Sequence, residues 1–342
     1  MGQIDSSRTP EVSTLAETLQ SLGEAELLRR LARFAPPGQL DDDTAQLKNP
    51  AADLLINTDV LVENVHFSDA TTTAADVGWR AAAANLSDLA SSGVDTVLGV
   101  TVGLVAPPQT PWSWVEGVYS GIEAMLQSSG GQLLGGDCTR GSERILSITA
   151  LGTLGPLRLH RNQARAGDWI VVSGAHGLSR LGLGLLQREA MAMQTDLPEA
   201  LRTMAITRHQ RPEPRLDALV QLIECKPKDL AWRAGGTDSS DGLLAAVQNL
   251  CQSSGCGAVL EQERLPHASG WPKGEAWREW CLSGGEDFEL VLSLPQAWAE
   301  AWLTARPESS QVGWITDQPD VIQWKEGGRP MRRSGFDHFQ GL

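Results

Sequence analysis

Residues 53–67, DLLINTDVLVENVHF, are the stretch that decides the fold. The apolar run 54–56 predicts a buried strand. The oxygen-bearing residues 57–59 follow at once, and core packing cannot satisfy all three. We therefore expect the strand to end there, with these residues facing water, a backbone turn or a cation. Glu63 and His66 add a second polar pair between apolar positions. The stretch predicts the floor of a site that the rest of the chain completes.

The composition is that of a globular protein with room for two cores. The chain has 342 residues, of which 41% are hydrophobic and 20% are charged, and such a length divides into two domains. The net charge of -14 argues against a nucleic-acid-binding surface, which needs clustered Lys and Arg. It suits a protein that gathers carboxylates around bound cations, although a solvated acidic surface is the commoner meaning of such an excess.

The chain carries no pattern typical of secretion or of membrane insertion. Its five cysteines form no Cys-x-x-Cys pair and are odd in number, which favours a reduced, cytoplasmic setting. The N-terminus is polar, unlike a signal peptide. The longest apolar run, 96–106, has 11 residues and contains two glycines, so it predicts a buried strand and no membrane span.

Alternating strands and helices with short polar turns predict an α/β chain in two halves. Thr73 is placed to cap a helix over 74–92, in which Asn85 and Asp88 are spaced i, i+3 and share one face. A polar stripe among alanines points to a site, but a plain surface face has the same pattern.

A second polar motif follows a short predicted strand at 132–134. There Gly135-Gly136-Asp137 would let main-chain amides approach a ligand closely and would set a carboxylate beside them. A basic cluster that includes Arg161 comes after the turn at 155–156, and the strand–helix pattern then restarts. We therefore divide the chain into an N-terminal domain, 1–155, and a C-terminal domain, 156–342.

Aspartates recur at the ends of these elements beside Gly, Ser, Thr or Asn, at Asp43, Asp59, Asp88, Asp137, Asp238 and Asp241. Oxygen ligands of this kind suit Mg²⁺ or Ca²⁺ and not Zn²⁺. Mg²⁺ held by a few carboxylates plus phosphate oxygens is usual where nucleotides react. A solvated turn is the simpler reading of the triplet 41–43 taken alone, and neither a P-loop nor the protein-kinase motifs occur.

Polar motifs follow one another between about 41 and 339: Thr58-Asp59…His66-Phe67, Asn85-Leu86-Ser87-Asp88, Gly135-Gly136-Asp137, Asp238-Ser239-Ser240-Asp241-Gly242-Leu243, Ser283-Gly284-Gly285-Glu286-Asp287 and Gly335-Phe336-Asp337-His338-Phe339. In this combination and order they resemble thiamine-monophosphate kinases. The resemblance implies the two-domain fold of the aminoimidazole-ribonucleotide-synthetase-like ATP-binding superfamily. Its N-terminal domain, a mixed sheet with helices, binds ATP and Mg²⁺ and pairs in a homodimer, and its C-terminal α/β domain closes the active site. It also implies transfer of a phosphoryl group from ATP to thiamine phosphate, giving thiamine diphosphate.

The same resemblance assigns roles to individual residues. The Mg²⁺ ligands fall on Asp43, Asn57, Thr58, Asp59, Asp88, Asp137, Asp238 and Asp241, and we take Asp59, Asp137 and Asp241 as the catalytic ones. The nucleotide contacts fall on Tyr119, Gly136, Asp137, Arg161 and Ser240. The acceptor contacts fall on His66, Glu286 and Phe336, with a plain structural histidine as the alternative for His66.

Direct in-line transfer is the expected chemistry. The acceptor phosphate has a second pKa near ~6 and is mostly dianionic at neutral pH, so it needs no general base. The protein then has to position the two substrates and screen their charges.

Two other functions are open. One alternative is a sister enzyme, such as selenophosphate synthetase or a purine-pathway synthetase, and the absence of Cys from the first 137 residues counts against the former. The other is a non-catalytic Ca²⁺-binding or interaction protein, which would not need Gly136, Arg161 or the loop 284–286.

Overall fold

Two separate sheets, one from each half of the chain, organise the molecule. The computed structural model describes residues 17–22, 24–35, 52–328 and 330–331. The helices within them are α1 Leu19–Leu22, α2 Glu24–Leu31, α3 Ala74–Ser92, α4 Trp112–Ser129, α5 Leu178–Leu186, α6 Ala190–Gln194, α7 Glu199–Gln210, α8 Leu216–Glu224, α9 Leu243–Ser254, α10 Glu275–Ser283 and α11 Gln296–Ala305. The strands are β1 Leu54–Val62, β2 Val94–Ala106, β3 Gln132–Arg140, β4 Ile145–Leu154, β5 Trp169–Val172, β6 Gly235–Asp238, β7 Gly257–Leu260, β8 Leu290–Leu294, β9 Ser310–Thr316 and β10 Ile322–Trp324.

The first sheet has four strands in the order β1-β4-β2-β3. Strand β4 is antiparallel to both β1 and β2, and β3 is parallel to β2. The strands β1 and β3 are therefore its two edges. Helices α3 and α4 cover one face with a shared apolar core that includes Val77, Leu86 and Val118. The other face carries exposed apolar side chains, so this sheet is half-covered in a single chain.

Helix α3 forms as the sequence predicts. The Thr73 hydroxyl accepts a hydrogen bond from the main-chain N–H of Asp76, and Gly93 ends the helix in a left-handed conformation. Helix α4 lies close enough to touch its main chain, because a Cβ at Gly78 would stand 1.9 Å from the carbonyl oxygen of Val118. Small residues thus let two helices share one narrow layer over the sheet.

The prediction for the opening stretch is wrong in two respects. Strand β1 does not end at residues 57–59 but continues to Val62, and its side chains alternate in exposure. Leu54 and Ile56 are 48% and 68% exposed, where a fully buried strand was expected. The reason is that β1 is an edge strand of a sheet with helices on one face only, so every second side chain projects away from the core.

The predicted end of the strand at 132–134 is also wrong. Strand β3 runs on to Arg140 and contains Gly135, Gly136 and Asp137 as extended backbone. Leu133 pairs with Val100 and Gly135 pairs with Thr101, so Leu134 is an extra residue, a β-bulge. Glycine lowers strand propensity, but the hydrogen bonds to β2 outweigh that local preference.

The second sheet has six strands in the order β10-β7-β9-β5-β8-β6. Its pairs are antiparallel except for the parallel pair β10–β7. Leu243 and Val247 of α9 pack with Val172 and Val291 of the sheet in one core cluster. The predicted α/β chain in two halves, with a mixed N-terminal sheet, is confirmed. Among the described helices there is none with the length and apolar character that a membrane span needs.

Candidate active site

A cavity of about 1430 Å³ lies between the two halves of the chain. Its wall takes Asp59 and His66 from the β1 region, Asp88 from α3, and Asp238 and Glu286 from the second half. Pockets for a single drug-sized ligand are typically about 300–1,000 Å³. This cavity is larger, and so it has room for two small molecules side by side.

Four of the predicted aspartates line this cavity together: Asp59, Asp88, Asp238 and Asp241. The Ser87 hydroxyl of α3 donates to one oxygen of Asp238 at 2.7 Å, and the Ser240 hydroxyl donates to the other at 3.1 Å. The first bond crosses between the two halves. Asp238 at the end of β6 is thereby held against helix α3 of the N-terminal half.

The predicted polar face of α3 is confirmed, and it is tied to β1. The Asn57 amide donates to Asn85 Oδ1 at 3.1 Å and to Asp88 Oδ2 at 3.0 Å. Asn85 Oδ1 also accepts the main-chain N–H of Asp59 at 3.2 Å, and its amide donates to the Ala81 carbonyl. Asn85 therefore joins the strand to the helix and sets the separation of Asp59 and Asp88.

The carboxylates of Asp59, Asp88 and Asp238 repel one another in a partly buried site. Burial, with the charges of Asp238 and Asp59, raises the pKa of Asp88 to about 7. Burial, with the charge of Asp238, also raises the pKa of Asp59, and burial raises the pKa of Asp238. Carboxyl groups held together in this way are stabilised by any cation that binds between them.

The chemistry of these donors fits a hard divalent cation. Besides the carboxylates, the buried Asn57 Oδ1 has no hydrogen-bond partner among the described residues, which leaves an oxygen donor available. Within the described ranges, however, no three His, Cys, Asp or Glu side chains stand close enough to hold one ion. The chain thus offers part of a coordination shell, as is usual for Mg²⁺, which takes its remaining ligands from water and phosphate oxygens.

Two further predicted residues flank the aspartates. The Arg161 guanidinium donates from Nε to the Thr237 hydroxyl at 3.1 Å, and its charge acts on Asp88 and Asp238 to favour their ionised forms. The Thr58 hydroxyl instead shares a hydrogen bond of 2.7 Å with Thr149 on the outer face of the sheet. A metal beside Asp59 could meet Thr58 only through its main chain.

Asp137 does not lie with the other aspartates. It pairs with Gly103 on β2, and Gly103 pairs with Ser147 on β4. Ser147 in turn pairs with Val60 on β1. Paired residues project to the same face, and Val60 projects opposite to its neighbour Asp59. Within one chain, Asp137 and Asp59 therefore sit on opposite faces of the sheet and on opposite edges.

Tyr119 and Gly136 are also outside the cavity wall. The Tyr119 ring is only 4% exposed and packs 5.6 Å, centre to centre, from the ring of Phe34. Burial and the neighbouring Cys138 raise the pKa of its phenol. Gly136 is next to Asp137 on β3, on the edge far from β1.

His66 and Glu286 also line the cavity, and the Glu286 main-chain N–H donates to the Ser240 carbonyl at 2.6 Å. The His66 Nδ1 accepts the main-chain N–H of Val62 at 3.0 Å, which fixes the ring in the turn after β1. Glu286 bonds to Arg80 of α3 at 2.6 Å. Glu63, which the sequence pairs with His66, forms an ion pair with Arg144 instead. Asp43 and Phe336 lie outside the described residues, so their predicted roles stay predictions.

No role was predicted from the sequence for Arg80, His209 or Asp287, although Asp287 belongs to one of the motifs that carry the family resemblance. Arg80 is 3% exposed and lies on the alanine-rich face of α3. Its guanidinium donates a hydrogen bond to the main-chain carbonyl of His209. Asp287 accepts the N–H groups of Gly177 and Ser179 at the start of α5. A lone arginine on a small-residue face was the available signal for Arg80; the other two depend on contacts between distant segments.

Family comparisons define the class of protein that this fold and site represent. The model for the N-terminal domain of AIR synthase related proteins matches residues 41–154, and the model for their C-terminal domain matches residues 165–325. The thiamine-monophosphate kinase of Prochlorococcus marinus is 52% identical over 325 residues, which cover 94% of this chain and 98% of that relative. The kinase of Synechococcus elongatus is 45% identical, with the same shares covered.

A solved structure agrees with the sequence relatives. AaThiL complexed with AMPPCP and TMP superposes with a TM-score of 0.72 at 28% identity, covering 95% of this chain and 100% of that chain. The chain belongs to the thiamine-monophosphate kinase family within the AIR synthase related proteins. The family resemblance predicted from the motifs is thus confirmed.

Proposed function

We propose that the chain transfers the γ-phosphoryl group of ATP to the phosphate of thiamine phosphate, forming thiamine diphosphate and ADP. The observation that carries this proposal is the meeting of Asp59 and Asp88 with Asp238 and Asp241 on one cavity wall. Acidic side chains from two domains suit two phosphorylated molecules that must be brought together across divalent ions. The relatives named thiamine-monophosphate kinase, and the solved complex with AMPPCP and TMP, support the identity of both substrates.

Different residues around the cavity suit the two substrates. Arg161 and Ser240 lie by the aspartates and would contact the nucleotide, with Arg161 supplying a fixed positive charge to its phosphates. His66 and Glu286, on the same cavity wall, would contact the acceptor. When bound, Mg²⁺ ions would screen the repulsion between the two phosphates. Asp59, Asp88, Asp238 and Asp241 would share these ions, with no three of them on one ion, and Asn57, the Thr58 main chain and Asp43 would add ligands.

Transfer would be direct and in line. The acceptor oxygen attacks the γ-phosphorus, the bond from that phosphorus to the β–γ bridging oxygen breaks, and ADP leaves. The acceptor phosphate is largely dianionic at neutral pH, because its second pKa is near ~6. No side chain then has to remove a proton, and positioning supplies the catalysis.

A homodimer completes the site in this proposal. Leu54, Ile56 and Val60 are exposed apolar residues on the uncovered face of the first sheet, and such a face is typical of an interaction surface. A second chain that sets its β3 edge beside β1 would bring Gly136 and Asp137 of the partner subunit to the Asp59 side. We place the reaction in the cytoplasm, where ATP is available, in keeping with five cysteines that are all free.

The test is a product assay on the full chain with ATP, MgCl₂ and thiamine phosphate. Chromatography should show thiamine diphosphate and ADP in equal amounts. Replacing ATP by AMPPCP or adding EDTA should stop the reaction, and unphosphorylated thiamine should give no product. Trapping of ³²P on the protein would contradict direct transfer. Thiamine phosphate left unchanged by an ATP-consuming enzyme would favour a sister synthetase, and the absence of any ATP turnover would favour a binding protein.

A further inference from the structure

Arg80 is a buried cation that joins the two halves of the chain. It belongs to α3 in the first half and is 3% exposed. Its Nη2 donates to Glu286 Oε1 at 2.6 Å and to the His66 carbonyl at 3.3 Å. Its Nη1 donates to the carbonyl of His209. One guanidinium therefore contacts two of the three predicted acceptor residues, His66 and Glu286, and a helix of the second half.

The loop that carries Glu286 does not hold its shape by local preference. Glu286 and Phe288 have φ values of 57° and 53°, in the left-handed region that bulky residues avoid. Asp287 between them accepts main-chain N–H groups of Gly177 and Ser179 at 2.7 and 3.0 Å. A backbone held against its preferences needs contacts on more than one side. At Glu286 the main-chain N–H donates to the Ser240 carbonyl at 2.6 Å, and the carboxylate accepts from Arg80.

Arg80 is also the counter-charge of Glu286. Burial, together with the charge of Arg80, lowers the pKa of the nearby His209 to about 4, so this histidine is neutral at neutral pH. Desolvation opposes ionisation of Glu286, but the charge and hydrogen bond of Arg80, together with His209 and His66, outweigh it and hold the Glu286 pKa below its usual value. The Glu286 carboxylate consequently stays ionised, and its bond to Arg80 fixes its direction.

We propose that Arg80 is a positioning residue for the acceptor contacts. It holds Glu286 and the His66 main chain in register across the boundary between the two halves. This inference rests on the proposed function, because it takes His66 and Glu286 as the acceptor contacts. Its consequence is selective. Loss of Arg80 weakens recognition of thiamine phosphate more than affinity for ATP, because the guanidinium bonds directly to Glu286 and the His66 main chain and reaches Ser240 through the Glu286 main chain.

The test compares Arg80→Met and Arg80→Lys with a matched control, Arg211→Met. Arg211 also forms an ion pair between the two halves, with Asp76 at 2.5 Å, but it does not line the cavity. We expect Arg80→Met to raise the KM for thiamine phosphate about tenfold or more, the scale of one lost charged hydrogen bond. Arg80→Lys should recover most of that loss, and Arg211→Met should stay near wild type. The KM for ATP should change several-fold less than the KM for thiamine phosphate, since Arg80 contacts Glu286 directly and Ser240 through the Glu286 main chain.

A double-mutant cycle with Glu286→Gln separates positioning from a general structural role. If Arg80 acts through Glu286, Arg80→Met should have little further effect on the acceptor KM in the Glu286→Gln background. Additive effects, or equal rises in the KM of ATP and of thiamine phosphate, would overturn the inference. If Arg80→Met does not fold, the same cycle is run with Arg80→Lys, and the same two outcomes decide it. A wild-type chain that neither binds nor phosphorylates thiamine phosphate would overturn the proposed function itself, and this inference with it.

Discussion

Asp59 and Asp137 lie on the two opposite edges, and on the two opposite faces, of the same four-stranded sheet. Three strand spacings of about 4.8 Å separate β1 from β3, which is roughly 14 Å before the difference of face is added. One metal ion cannot bridge such a distance within a single chain. If both residues serve one site, the second must come from another copy of the chain.

Mixing inactive variants tests whether the site is shared. Asp59→Asn and Asp137→Asn should each be inactive as a homodimer. A heterodimer of the two has one site with both substitutions and one with neither, so an equal mixture after subunit exchange should regain about one quarter of wild-type activity. The measurement is thiamine diphosphate formation, with mass spectrometry to verify the exchange.

A mixture of Asp59→Asn with Asp88→Asn is the matched control, because both residues belong to the same half of the site. It should regain no activity. Continued inactivity of the Asp59→Asn and Asp137→Asn mixture, with heterodimers present, would show that each site is built within one chain.

Removing a carboxylate from the cavity should lower activity and raise thermal stability. Asp59→Asn should lower kcat by roughly 10²–10³-fold, as the loss of one preorganised electrostatic group does. The same change removes a charge that burial and Asp238 disfavour, so the melting temperature in EDTA should rise. Asp95→Asn, at an exposed position of β2, is the control and should alter neither quantity. Retention of near-wild-type turnover by Asp59→Asn at saturating Mg²⁺ would refute its role as a ligand.

The close approach of α3 and α4 makes Gly78 sensitive to substitution. A Cβ there would stand 1.9 Å from the Val118 carbonyl oxygen, so Gly78→Ala must push the helices apart. We expect a loss of roughly 1–3 kcal/mol in the free energy of unfolding, as overpacked cores show, measured by urea titration. Gly135→Ala meets nothing within 4 Å and should lose much less. Equal losses for both variants would mean that the helices have room to adjust.

Acid should destabilise the chain through its buried histidine His176. Burial lowers the pKa of His176 to about 4, whereas an unfolded histidine titrates near ~6.5. Between these values the unfolded chain binds a proton that the folded chain does not, so stability is complete above about pH 6.5 and falls toward pH 4 by up to about 1.4 kcal/mol per pH unit. Melting temperatures across this range should fall less steeply for His176→Leu than for wild type. An unchanged slope in His176→Leu would contradict the assignment.

The sequence by itself determined the features that depend on neighbouring residues. The capped helix that begins after Thr73 and the shared face of Asn85 and Asp88 follow from hydrogen bonds and side-chain spacing within a few residues. The order of the polar motifs was likewise enough to predict the family, its substrates and a two-half α/β fold. The division at residue 155, and the roles of Asp43 and Phe336, stay predictions.

Only the tertiary structure decided which of these motifs meet. Strand order puts Asp137 far from Asp59 and exposes Leu54 and Ile56, and nothing within β1 or β3 encodes which strands flank them. The bond from Arg80 to Glu286 joins residues 206 positions apart, so no local pattern could pair them. The periodicity of apolar residues indicates the conformation of a segment, whereas contacts between segments depend on how the whole chain packs.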